Sequence, residues 1–143
     1  MEGSINMAKH CGGCLCGAVK YSFDSEPIMT GVCHCENCQR QSGTAFSIIV
    51  GVTKNSFKIE DEKTLSEYLD QGDNGSKVRR QFCGNCGSPI VSLIDSAPEL
   101  CMLKAGTLDD KSWLEPTIHF WCDSAQPWVE IKDGVLKFDR NPG

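Results

Sequence analysis

Seven of the ten cysteines fall into three tight groups, and no other feature restricts the chain as much. Cys33, Cys35 and Cys38 stand together in Cys33-His34-Cys35-Glu36-Asn37-Cys38. Cys14-Leu15-Cys16 lies near the start, and Cys83-Gly84-Asn85-Cys86 lies well downstream. Cys-x-Cys and Cys-x-x-Cys spacings let two thiolates reach one metal ion. Four thiolates close a tetrahedral structural zinc, whereas a catalytic zinc usually has three protein ligands and one position open to water or substrate. Seven divides into four and three. The pattern predicts two Zn²⁺ sites, one closed and one open.

The spacing of Cys83 and Cys86 reads as a zinc knuckle. The glycine that follows, Gly87, allows the positive φ that turns backbone N–H groups toward the sulfurs. A knuckle supplies two ligands and needs a second pair, for which Cys14 and Cys16 are the expected partners. Spacing alone leaves other pairings open, such as the knuckle with Cys33 and Cys35. For Cys33, Cys35 and Cys38 two readings stand side by side. One is a second structural zinc completed by His34, His119, Cys101 or Cys122. The other is an open site whose three thiolates favour a soft sulfur ligand over hydroxide, which points to thiol chemistry. Cys101 and Cys122 sit among apolar residues, where a buried inert thiol is the default. Cys11 is close enough to Cys14 to serve as an alternative ligand. His119 reads as a hydrogen-bonded core histidine, and Arg40, Arg79 and Arg80 as surface or sheet charges able to offset a thiolate cluster or hold a carboxylate.

At 143 residues the chain suits one domain, expected over residues 11–143 behind a flexible lead-in at 1–10. Such a chain buries roughly 68–70% of its unfolded surface, so it does not need metal because of size alone. A net charge of −5 excludes the basic face of a nucleic-acid binder. No apolar stretch is long enough to cross a bilayer, so no membrane partner is expected. Residues 1–10 lack the apolar run of a secretory signal, and clustered thiols without one favour metal over disulfides. A reducing, cytoplasmic setting is the expectation.

Hydrophobic alternation predicts strands at 18–23, 28–32, 45–52, 57–59, 65–69, 77–82, 89–94, 100–104, 116–121 and 135–138. Residues 71–75, Gln-Gly-Asp-Asn-Gly, read as a hairpin turn. A short helix is expected at 35–42, ended by Gly43. Many short strands without a long helical period predict a mostly β fold.

Taken together, several runs resemble the glutathione-dependent formaldehyde-activating enzyme family. They are Gly13-Cys14-Leu15-Cys16-Gly17-Ala18-Val19, Cys33 to Cys38 with Ser42-Gly43 and Phe46, and Phe82-Cys83-Gly84-Asn85-Cys86-Gly87. Ala105-Gly106-Thr107-Leu108-Asp109-Asp110 and the late His119 with Pro127-Trp128 extend the likeness over most of the chain. Cys11 departs from the pattern. The resemblance implies a compact, mostly antiparallel β fold related to that of zinc-bearing methionine sulfoxide reductases. It implies a structural zinc on Cys14, Cys16, Cys83 and Cys86, and a catalytic zinc on Cys33, Cys35 and Cys38. It also implies carbon–sulfur lyase activity on adducts of a small thiol such as glutathione, S-hydroxymethylglutathione being the founding case. His34, Glu36, Asp109 and His119 are candidate proton carriers. Two competing readings are a non-enzymatic zinc-stabilised module that binds glutathione or a protein, and a sulfoxide reductase working through Cys122.

Overall fold

In the computed structural model, residues 10–72 and 74–140 are described. The expected lead-in falls outside them except for His10, which opens the first strand. The strands are β1 (His10–Gly13), β2 (Lys20–Phe23), β3 (Met29–Cys33), β4 (Ser47–Thr53), β5 (Phe57–Asp61), β6 (Leu65–Gln71), β7 (Lys77–Cys83), β8 (Pro89–Ile94), β9 (Leu100–Lys104), β10 (Ile118–Phe120) and β11 (Leu136–Lys137). A single α-helix among the described residues, α1 (Glu36–Ser42), follows β3. The fold is mostly β, as expected.

Eight strands form one sheet in the order β11-β10-β3-β4-β9-β8-β7-β6, and β1-β2-β5 form a smaller one. The ladders are antiparallel except at β10, which runs parallel to both β3 and β11. The short strand β1 was not anticipated. Its residues, His-Cys-Gly-Gly, carry little β-propensity, and pairing with β2 holds it in place.

Register decides which side of the large sheet each residue faces. Val50 and Val52 on β4, Cys101 and Leu103 on β9 and Val91 on β8 share one face. They pack with Tyr21 and Phe23 of the small sheet into the core, all at 1% exposure or less. Neighbouring residues on the same strands must face the other way. Cys33 pairs with Ser47, Lys104 with Ile49, and Met102 with Ser92, which pairs with Arg80. The face opposite the core therefore carries Cys33, Ser47, Lys104, Ser92 and Arg80.

Helix α1 is short and strongly capped. The Cys35 sulfur accepts a hydrogen bond from the Cys38 N–H at its start, and Gly43 ends it at φ 70°. Glu36 in the first turn and Arg40 in the last suit the helix dipole and pair with each other at 2.7 Å. The helix thus carries Cys35 and Cys38 back to Cys33 at the end of β3.

Candidate functional site

The first cluster joins two distant turns. Cys14 and Cys16 lie between β1 and β2, while Cys83 and Cys86 bracket the turn between β7 and β8. All four sulfurs lie within 4.8 Å of one another. The Cys14–Cys16 and Cys16–Cys83 sulfur separations are 3.6 and 3.8 Å. A tetrahedral zinc with Zn–S bonds of about 2.3 Å sets its sulfurs about 3.8 Å apart, so the spacing fits that ion. The turn itself is closed by a 2.7 Å bond from the Gly87 N–H to the Cys83 carbonyl, with Gly87 at φ 83°.

The groups bonded to these sulfurs are uncharged. The Val19 N–H donates to Cys14 at 3.2 Å, and the Asn85 amide donates to Cys16 at 3.2 Å. The Thr64 hydroxyl meets Cys83 at 3.2 Å, and Ser88 meets Cys86 at 3.3 Å. The Thr64 contact holds the Cys83 thiol below its usual pKa, and Ser88 lowers Cys86 to about 5. Both shifts favour the thiolate that a metal needs. Cys11 does not join this group; it is exposed on β1 opposite Ser22.

The second cluster is Cys33, Cys35 and Cys38, whose sulfurs also lie within 4.8 Å of one another. Among the described residues this group has three members against four in the first. Cys33 and Cys38 are each 8% exposed, and Cys35 is half-buried. The three thiols share their protons unequally. Hydrogen bonds from Cys33 and Cys35 push Cys38 far below the usual thiol range, helped by the charges of Lys104 and Arg80. The same sharing, with burial, pushes Cys33 upward.

None of the residues considered as a fourth ligand joins the three sulfurs. Cys101 is 1% exposed in the core, on the opposite face, where burial raises its pKa. His34 is fully buried and meets the His119 ring through Nε2 and Nδ1 at 2.9 Å. Burial pulls both imidazoles downward, so the contact is one between neutral rings, one donating and one accepting. His119 is the hydrogen-bonded core histidine expected. Cys122 lies half-buried in a short 3₁₀ turn, where burial raises its pKa. Asp109 donates its N–H to the Cys11 carbonyl and lines shallow clefts with Gly13 and Cys14, beside the four-sulfur cluster.

The three arginines separate sharply. Arg40 is exposed, and Arg79 bridges exposed Glu67 and Asp95. Arg80 is 6% exposed and donates to Asp70 at 2.8 Å, while Asn37 of α1 donates to the same carboxylate at 3.1 Å. Burial works against the Arg80 charge, but Asp70 and the nearby Cys38 thiolate more than offset it. Lys104, a second buried cation, was not singled out from sequence. Its ammonium donates to Ser47 at 2.9 Å. Burial lowers its pKa, against the pull of the neighbouring thiolates. The sequence held half the signal: strand alternation turns Lys104 away from Leu103, and the ladder register puts it on the side of Cys33.

Among family models, the glutathione-dependent formaldehyde-activating enzyme matches residues 9–124. The chain belongs to this family. No curated protein matches it. A crystal structure of a Rhodobacter sphaeroides protein shares its fold, with a TM-score of 0.57 and 19% identity, covering 90% of this chain and 98% of that one. At that identity the likeness speaks for the fold alone. In this member of the glutathione-dependent formaldehyde-activating enzyme family, both thiol clusters can hold a metal, and their all-sulfur donor sets are consistent with zinc. Among the described residues no helix is long and apolar enough to cross a membrane.

Proposed function

We propose that the chain is a zinc-dependent carbon–sulfur lyase acting on adducts of glutathione or a similar thiol with an aldehyde, S-hydroxymethylglutathione being the leading case. The observation that carries this reading is the three-sulfur cluster, standing apart from a complete four-sulfur one in a member of this family. In this reading Cys14, Cys16, Cys83 and Cys86 hold a structural zinc, and Cys33, Cys35 and Cys38 hold a second one with its fourth position open. Zinc at that second site would supply a Lewis-acid position that favours the thiolate form of a thiol.

The chain's own residues then have definite tasks. Cys33, Cys35 and Cys38 set the site at the end of β3, and the Cys35 cap locks the short helix that carries Cys38. In the synthetic direction, sulfur adds to the aldehyde carbon, a C–S bond forms, and the thiol proton ends on the carbonyl oxygen. In the lyase direction that bond breaks and the proton returns to sulfur. Among the proton-carrier candidates, His34 follows Cys33 in sequence and bonds His119, which pairs with Val32 and so faces away from Cys33, whereas Glu36 is exposed and tied to Arg40. The ten free thiols suit a reducing compartment, and we place the protein in the cytoplasm. Residues 11–143 are taken as one domain.

Exchange of formaldehyde with S-hydroxymethylglutathione, followed by NMR, tests the activity. The wild-type protein is expected to raise the exchange rate above the spontaneous one in proportion to its concentration. Binding of glutathione with no rise in exchange would instead identify a glutathione-binding module. Reduction of methionine sulfoxide through Cys122 would identify a reductase. Native mass spectrometry should show two zinc ions per chain, falling to one under mild chelation. A folded chain carrying no metal would overturn the proposal.

A further inference from the structure

The two thiol clusters differ in a way that their sulfur counts do not describe. The groups bonded to the four-sulfur cluster are an N–H and the side chains of Thr64, Asn85 and Ser88, all uncharged. The three-sulfur cluster shares its face of the sheet with two buried cations. Each is tied back to the segment that carries the cysteines. Arg80 is held by Asp70, which is bonded to Asn37 between Cys35 and Cys38. Lys104 is held by Ser47, which pairs with Cys33 across the β3–β4 ladder. A buried arginine and a buried lysine, each 6% exposed, are costly to keep unless something nearby answers their charge. Asp70 answers the Arg80 charge, with Asn37 and the Gln71 N–H bonded to the same carboxylate, whereas the Lys104 ammonium is bonded to the uncharged Ser47 hydroxyl.

Beside Arg80 in the ladder stands Ser92, 6% exposed, whose hydroxyl has no hydrogen-bond partner. An orphaned hydroxyl next to a buried arginine marks a polar surface that is not yet satisfied.

We propose that Arg80 and Lys104 are positioning residues that set the charge of the three-cysteine site so that its fourth position takes an anionic sulfur rather than a neutral ligand. The inference rests on the proposed function and narrows it. Three thiolates with a divalent ion carry one net negative charge, which repels a fourth thiolate. Arg80 stays protonated under all ordinary conditions and cancels the Asp70 carboxylate paired with it, so no second negative charge stands beside the sulfurs. Lys104, as an ammonium, brings the site from one negative charge to neutrality, so an incoming thiolate meets no net repulsion. A four-thiolate site without such cations keeps a surplus of negative charge and relies on N–H and hydroxyl groups such as those bonded to the first cluster.

Isothermal titration of the zinc-loaded protein with glutathione and, separately, with imidazole tests this. Arg80→Gln is expected to weaken glutathione roughly tenfold or more, the effect of removing one opposite charge at close range. Imidazole affinity, which involves no added charge, should stay within about threefold. Arg80→Lys should restore most of the glutathione affinity. Equal loss of both ligands in Arg80→Gln, or no loss of glutathione, would overturn the inference. Should Arg80→Gln fail to load zinc, Lys104→Met carries the same comparison with the same expected split. A wild-type protein that shows no sulfur-dependent binding would remove the proposed function together with this inference. Wild-type binding that the two variants leave unchanged would remove this inference alone.

Discussion

Cys83→Ser is expected to leave the chain unfolded or molten. Cys83 is fully buried at the end of β7, and its sulfur is the member of the four-sulfur cluster that reaches both Cys16 and Thr64. The cluster ties the turn between β1 and β2 to the turn between β7 and β8, so it crosslinks the small sheet to the large one at the ends of these strands. A structural zinc contributes on the order of 10 kcal/mol or more, comparable with a whole domain's net stability of about 5–15 kcal/mol. Serine cannot replace the thiolate. Cys101→Ser provides the comparison, since Cys101 is as deeply buried yet outside both clusters. It should cost only about 1–3 kcal/mol, the penalty for burying a hydroxyl without a partner. Thermal melting followed by circular dichroism distinguishes the two. A Cys83→Ser protein that melts at the wild-type temperature would show that the four-sulfur assignment is wrong.

Cys35→Ser should do the opposite, removing one zinc while keeping the fold. The Cys35 sulfur has two tasks, as a member of the three-sulfur cluster and as the cap of α1. Serine is among the best residues at a helix N-cap, so the second task survives the change. The large sheet and the core do not depend on this cluster, which lies on the opposite face. Zinc content is therefore expected to fall from two to one per chain, with the melting temperature within about 4 °C of wild type. Formaldehyde exchange should fall to the spontaneous rate. Retained exchange in a one-zinc protein would remove the three-cysteine site from the mechanism. Collapse of the fold would show that this site is structural.

The comparison of these two substitutions also shows how far the sequence could be read. The three cysteine groups were legible because metal ligands on turns depend on local spacing. The knuckle at Cys83 and Cys86 and the Cys33-x-Cys35-x-x-Cys38 run both assemble largely from their own neighbours. The strand Leu100–Lys104 was legible as a short apolar run, with Cys101 and Leu103 alternating into the core. Strand β1 was not, since His10 to Gly13 have little intrinsic preference and are held by Phe23 and its neighbours on β2. The parallel placement of β10 beside β3 depends on a long connection whose path no local pattern records. The same holds for the His34–His119 contact. Arg80 looked like its neighbour Arg79 because alternation shows that the two face opposite sides, not which side is covered. Only the folded chain brings Asp70 and α1 over it.

The central claim is that the site at Cys33, Cys35 and Cys38 receives a substrate thiol through its sulfur. Cobalt substitution followed by titration with glutathione tests it most directly, because thiolate-to-metal absorption reports a new sulfur ligand. Glutathione is expected to give a saturable change in that absorption. S-methylglutathione, which keeps the peptide and both carboxylates but cannot form a thiolate, should give little or none. Cys35→Ser should abolish the response. An equal response to both compounds, or none to either in a fully loaded protein, would contradict the claim.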